Sequence, residues 1–220
     1  MEQTDILTRR QRAVLAAVAS DKALATHGYL TGGTALAGFY LHHRFSEDLD
    51  FFFEHEFDIS AVSVFFQKHK KPLGITGVDF QQSYNRNLFF LHFSDEVLKT
   101  EFTFFPFPQI EKPKRREGIK VDSAIDIAVN KLFTIYQRTA ARDYIDLYCI
   151  IQRYGWSTDE LLKKAKAKFD WHIDPLQLGT QFVKAETAKD LPRMIEKIAP
   201  SVWRRFFKEE ALRFKQRVVK

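Results

Sequence analysis

Two aspartates one residue apart, Asp48 and Asp50, are the side chains in this sequence best arranged for chemistry. They stand in Ser46-Glu47-Asp48-Leu49-Asp50-Phe51-Phe52-Phe53, whose Leu49–Phe53 part reads as a strand. Alternate strand residues face one side, so both carboxylates project together while Leu49 and Phe51 face the other way. Neighbouring carboxylates repel unless a counter-charge sits between them. A divalent cation supplies one, and Mg²⁺ takes one or two carboxylates, several waters and substrate phosphates. The bland alternative is a solvated strand end. Upstream, Gly32-Gly33-Thr34 follows the short apolar run Tyr29-Leu30 and opens a helical stretch. A glycine pair there lets backbone approach a ligand closely, and Thr34 either caps the helix or holds a phosphate oxygen. Alone, such a pair is only a turn. Together the two blocks set a phosphate cradle beside a metal site, the two parts phosphoryl transfer uses. Glu101 is the candidate third carboxylate, an acid between Thr100 and Phe102 in a strand-like run. An acid on an exposed sheet face fits that position equally well.

The elements around these residues follow from periodicity and turn signals. Helices are expected at 8–25, 34–43 and 59–70, and strands at 29–30, 49–53, 75–81, 87–93, 97–105 and 119–121. Tyr84-Asn85-Arg86 and Ser94-Asp95-Glu96 read as turns, which makes the three middle strands antiparallel neighbours. Pro106, Pro108 and Pro113 then break regularity. Beyond Ser123 the pattern is helical throughout: 126–137, 142–154, 158–169, 176–185 and 202–218. The expected organisation is an α/β domain over residues 1–110 and a helical domain over 111–220 that completes the active cleft.

Gly32-Gly33-Thr34 followed by Ser46-x-Asp48-Leu49-Asp50-Phe51 resembles the nucleotidyltransferase signature of the polymerase β superfamily. With Lys131-Leu132 and Arg142-Asp143-Tyr144-Ile145-Asp146-Leu147 downstream, the chain more narrowly resembles the AbiEii/AbiGii toxins of type IV toxin–antitoxin and abortive-infection systems. The resemblance runs from about Leu30 to Ile151. It implies an α+β fold: a polymerase β-like mixed sheet with flanking helices, then a helical C-terminal half. It also implies Mg²⁺-dependent transfer of a nucleoside monophosphate from an NTP, tRNA as acceptor, and a cognate antitoxin. Carried over by motif, Asp48, Asp50 and Glu101 hold metal, and Gly32, Gly33 and Thr34 bind phosphate. Lys131 and Asp143 serve the nucleotide, and Asp146 joins Lys131 and the three acids in catalysis. The third acid is Glu where the superfamily often has Asp.

Read without the resemblance, the back half leaves alternatives open. Lys131, among Ile127, Val129, Leu132 and Ile135, either snorkels to solvent or faces a cleft as a point charge for phosphates. Asp143 and Asp146 share a helix face. Asp143 suits a helix start, whereas Asp146 in apolar surroundings either pairs with a base, Lys131 or Arg138, or reaches the cleft.

Net charge is +6, unevenly placed. Six acids and one base lie over 44–58, five bases and one acid over 112–120, and seven bases and two acids in the last twenty residues. The basic stretches, including Arg204, Arg205, Lys208, Arg213, Lys215 and Arg217, could track an RNA backbone or dock an acidic antitoxin. Trp203, Phe206 and Phe207 among them have core spacing. The single cysteine, Cys149, excludes an intrachain disulfide framework and a cysteine zinc cage. No leader pattern precedes Thr8 and no apolar run reaches bilayer length, so a cytoplasmic protein that makes no membrane contact is expected. His42, His43 and His55 lack metal-helix spacing, and no Walker loop is present. Rival activities are transfer to a protein or small molecule, and nucleotide or partner binding without turnover.

Overall fold

The computed structural model describes residues 6–218; residues 1–5 and 219–220 and the side chains of Arg217 and Val218 lie outside the described residues. The chain forms two compact units. The first holds residues up to Phe39 together with Ser46–Pro108 and Lys112–Asp122, and the second holds Tyr40–Phe45, Gln109–Glu111 and the chain from Ser123 onward.

In the first unit, α1 (Arg9–Ser20) starts at a capping box in which Thr8 and Gln11 satisfy each other's backbone N–H groups. The expected single helix over 8–25 is in fact two. Asp21 ends α1, and its carboxylate accepts the N–H groups of Ala23 and Leu24 to cap α2 (Lys22–His27). The strands are β1 (Gly28–Thr31), β2 (Leu49–Phe53), β3 (Gly77–Ser83), β4 (Arg86–His92), β5 (Val97–Phe104), β6 (Lys114–Arg116) and β7 (Ile119–Val121). Among the described residues they make one seven-stranded mixed sheet in the order β3-β4-β5-β2-β1-β7-β6. β2 runs parallel to β5 and antiparallel to β1, while β1 and β7 are parallel. Between β1 and β2 lie α3 (Gly32–Leu36) and a π-helical turn over Ala37–Leu41. Helix α4 (Ile59–Leu73), capped by Asp58 and closed by left-handed Gly74, buries Val62, Phe65 and Phe66. Phe66 meets Phe89 and Phe102 with ring centroids 5.2 and 5.9 Å apart. This aromatic layer fixes which sheet face is core, and so which face carries the acids.

The second unit is built on α5 (Ala124–Gln137), α6 (Ala141–Tyr154), α7 (Thr158–Phe169), α8 (Pro175–Val183), a 3₁₀ turn over Lys184–Thr187 and α9 (Pro200–Val218). Tyr144 of α6 stacks near Trp203 and meets Phe207 edge-on, both from α9. Trp203 and Phe207 are buried, as their spacing suggested, whereas Phe206 is only half-buried. Lys168 and Asp126 form a fully buried pair at 2.6 Å. The same carboxylate accepts the backbone N–H groups of Ile110 and Glu111 and the Ser123 hydroxyl. Every lone pair that burial would otherwise orphan thus has a donor. Among the described residues no helix is long and apolar enough to cross a membrane.

Candidate active site

The register of β2 on β5 sets Asp50 directly beside Glu101. Strand alternation then puts Asp48, Asp50, Lys99, Glu101 and Thr103 on one sheet face. Leu49, Phe51, Phe53 and Phe102 go to the other, where all four are buried. Asp48 and Glu101 are already paired with protein cations. Lys99 Nζ donates to Asp48 Oδ2 at 2.8 Å. Arg86, paired with Thr103 across β4 and β5, forks onto Glu101: Nε to Oε1 at 2.8 Å and Nη2 to Oε2 at 2.6 Å. The Thr103 hydroxyl adds a third bond to Oε1 at 2.7 Å. Burial pushes the Glu101 carboxyl upward, but hydrogen bonds from Arg86 and Thr103 and the charges of Arg86 and Lys99 outweigh it and leave its pKa below the usual range.

The glycine turn meets these acids directly. Thr31 pairs with Asp50 across β1 and β2, and the next residue, Gly32, has φ +73°. A Cβ on Gly32 would collide with Asp50 Oδ2, so only glycine brings backbone against that carboxylate in this conformation. The Thr34 hydroxyl donates to the backbone carbonyl of Asp48 rather than capping a helix. Thr31 is tied down in turn: its hydroxyl donates at 2.7 Å to Asp122 Oδ2, a fully buried carboxylate whose own N–H bonds the Leu30 carbonyl. Gly32, Thr34, Asp48, Asp50 and Glu101 therefore form one constellation in the first unit, with Gly33 in the same turn.

The remaining candidates, Lys131, Asp143 and Asp146, come together in the second unit. Lys131 Nζ sits 2.7 Å from Asp143 Oδ1 and 2.7 Å from Asp146 Oδ2. Asp146, with no exposure, also accepts Arg44 Nε at 2.6 Å and Nη2 at 2.8 Å, and His43 Nε2 lies 2.8 Å away. Asp143 is 1% exposed and is bonded by Arg138. Burial raises both carboxyls, and the charge of Lys131, joined by Arg44 and His43 for Asp146 and by Arg138 for Asp143, pulls both below the usual value, Asp146 far below. Arg44 is itself held in place: the extended segment His43–Phe45 bonds backbone to backbone with Arg193 and Ile195.

The carboxylates suit a magnesium ion by donor chemistry. They are hard oxygen ligands on one face, and Gly32, lacking a Cβ, lets the main chain lie against the Asp50 carboxylate. Among the described residues no three or more His, Cys, Asp or Glu side chains are gathered as a group that could hold a metal ion. Arg86, Lys99, Asp122, His43 and Arg44 were not singled out for these roles from sequence.

The model of the family described as "Nucleotidyl transferase AbiEii toxin, Type IV TA system" matches residues 13–216 of this chain. The protein belongs to the AbiEii family. An uncharacterized protein of Aquifex aeolicus (strain VF5), aq_aa25, is 32% identical over 218 residues, covering 97% of this chain and 96% of its own. Among solved structures, JHP933 from Helicobacter pylori superposes with a TM-score of 0.60 at 20% identity, over 99% of this chain and 94% of that one. MenT4, a nucleotidyltransferase toxin (Rv2826c) of Mycobacterium tuberculosis H37Rv, gives 0.56 at 16% identity, over 97% and 86%. The likeness to MenT4 supports the nucleotidyltransferase fold. Membership of the AbiEii family makes this chain a nucleotidyltransferase of type IV toxin–antitoxin systems, with an NTP as substrate and an antitoxin as partner.

Proposed function

We propose that this AbiEii enzyme transfers a nucleoside monophosphate from a magnesium-bound NTP to a hydroxyl of RNA, with tRNA the expected acceptor, in the cytoplasm. The observation that carries the reading is the Gly32 backbone lying against Asp50, with Glu101 in register beside it. Magnesium, when bound, neutralises triphosphate charge and makes the acceptor hydroxyl easier to deprotonate. Asp48, Asp50 and Glu101 are the residues that would hold it. The Gly32-Gly33-Thr34 turn lets phosphate oxygens approach main chain without a side chain intervening.

Lys131 serves the triphosphate. An ammonium has three N–H donors, and two of them go to Asp143 and Asp146. The third is the donor this reading gives to phosphate. Asp143 and Asp146 then act by orienting Lys131, since both are too buried to touch a substrate. Support for an RNA acceptor is electrostatic: Lys114 and Arg115 on β6 are exposed, as are Arg205 and Lys208 on α9.

The test incubates the protein with each α-labelled NTP and total RNA, with protein extract and small-molecule acceptors in parallel. RNA labelling that Asp50→Asn abolishes is the expected result. Labelling confined to protein or small molecules replaces the acceptor, and labelling unchanged in Asp50→Asn overturns the site.

A further inference from the structure

The acidic face carries its own cations, and their arrangement is asymmetric. Three carboxylates, Asp48, Asp50 and Glu101, meet two bases, Lys99 and Arg86. The Arg86 guanidinium is held above its ordinary pKa first by its hydrogen bonds to Glu101, then, against the cost of its burial, by the negative charges of Glu101, Asp50 and Asp48. Its two bonds to Glu101, which stands in register beside Asp50, put it on the carboxylate a divalent ion would take. The two ends of the Arg86–Glu101 pair differ in freedom. The Glu101 side chain is 7% exposed and pinned by Thr103, whereas that of Arg86 is 48% exposed. Arg86 also opens β4 just after the turn residue Tyr84, whose φ is +54°. The carboxylate is the fixed end and the guanidinium the movable one.

A buried carboxylate is not left bare, because an uncompensated buried charge is strongly unfavourable. Arg86 can leave Glu101 only as another cation arrives. A guanidinium is equally suited to phosphate, which offers the same pair of oxygens to its fork.

Resting on the function proposed above, we infer that Arg86 is an exchangeable counter-ion of the catalytic acids. In the free protein it occupies Glu101. When a divalent cation and a nucleoside triphosphate enter together, Arg86 yields the carboxylate to the cation and takes a phosphate of the nucleotide. Arg86 is thereby a nucleotide-binding residue that also competes with metal.

Exchange predicts two effects of opposite sign from one substitution. With Mn²⁺ as probe and no nucleotide, followed by electron paramagnetic resonance, Arg86→Gln binds the ion roughly threefold or more tighter than the unmodified protein, because a partly exposed competitor is gone. With Ca²⁺ present to avoid turnover and NTP binding followed by calorimetry, the same variant binds NTP roughly tenfold or more weaker, the loss of a charged hydrogen bond. Arg86→Lys, which keeps the charge but not the fork, falls between in both. A structural role for Arg86 moves both affinities the same way or neither, and either result overturns the exchange. Asp50→Asn separates this from the underlying reading. If Mn²⁺ binding depends on Asp50 but not on Arg86, only the exchange fails. If Mn²⁺ binding is absent or indifferent to Asp50, the metal site falls and the exchange with it.

Discussion

Replacing Gly32 by alanine separates backbone strain from damage to the site. Gly32 and Gly74 share nearly the same backbone conformation, φ +73° and +71°, and both belong to the first unit. An L-residue there costs about 1–2 kcal/mol. For a chain of this size that is roughly 2–8 °C of melting temperature. The surroundings differ. A Cβ at Gly74 meets nothing within 4 Å, whereas at Gly32 it collides with Asp50 Oδ2 and comes within 3.1 Å of Cγ and 3.3 Å of Cβ. Asp50 stands on a strand paired on both sides, so its main chain cannot retreat and its carboxylate must rotate away. Misplacing a catalytic group by about 1 Å costs on the order of 10²-fold in rate. Gly32→Ala should therefore melt within a few degrees of Gly74→Ala yet transfer nucleotide on the order of 10²-fold more slowly. The assay is a thermal melt of both variants beside initial rates with a labelled NTP and RNA. Equal rates in the two variants would refute the claim that the glycine exists to admit the Asp50 carboxylate.

Two further outcomes concern the second unit. Lys168→Met removes the cation from a fully buried pair while Asp126 keeps its three other donors, so stability should fall by about 3–5 kcal/mol in a denaturant melt, with transfer at low temperature retained. The depressed carboxyls of Asp143 and Asp146 set an acid limit. A group with a lowered folded pKa stabilises fully above its unfolded value, about 4, and loses that contribution as pH falls through the folded value. Stability of the second unit should hold from neutral pH to about 5 and decline below it; Asp146→Asn, which cannot titrate there, should flatten that decline in melts recorded across acid pH.

Legibility in the sequence tracked the range of the interactions involved. Leu49–Phe53, Ile119–Val121 and Thr158–Phe169 match the expected elements residue for residue, because their boundaries are local alternation, helical periodicity or caps. The break at Asp21 was missed because one carboxylate both interrupts a periodic pattern and caps its continuation. Strand β6 was missed because Lys114-Arg115-Arg116 has the composition of a solvated loop; its signal is the two-residue turn Glu117-Gly118, both with positive φ. In the site, strand alternation and one glycine turn brought out Asp48, Asp50, Glu101 and Gly32. Of the two bases considered for Asp146, Lys131 is bonded to it, whereas Arg138 bonds Asp143. His43 and Arg44 lie about a hundred residues away in sequence, and no local pattern could join them to it.

Arg86 marks the boundary between these two classes. The structure pairs Glu101 with Leu88, and Arg86 is the next residue on the same face; reflection through Ser94-Asp95-Glu96 lands one residue off, on Phe89, because the loop between β4 and β5 runs over the four residues 93–96. An acid out of pattern on a half-buried strand needs a counter-charge, and hairpin register supplies the one base within reach on the neighbouring strand. The inference needs two steps, register and then charge balance, and neither residue alone suggests it. The same reasoning explains why the acids can be close in a protein without its metal. Their repulsion is met by side chains from β4 and β5, so the carboxylates keep their positions before substrate arrives, and cation exchange rather than folding is what binding has to accomplish.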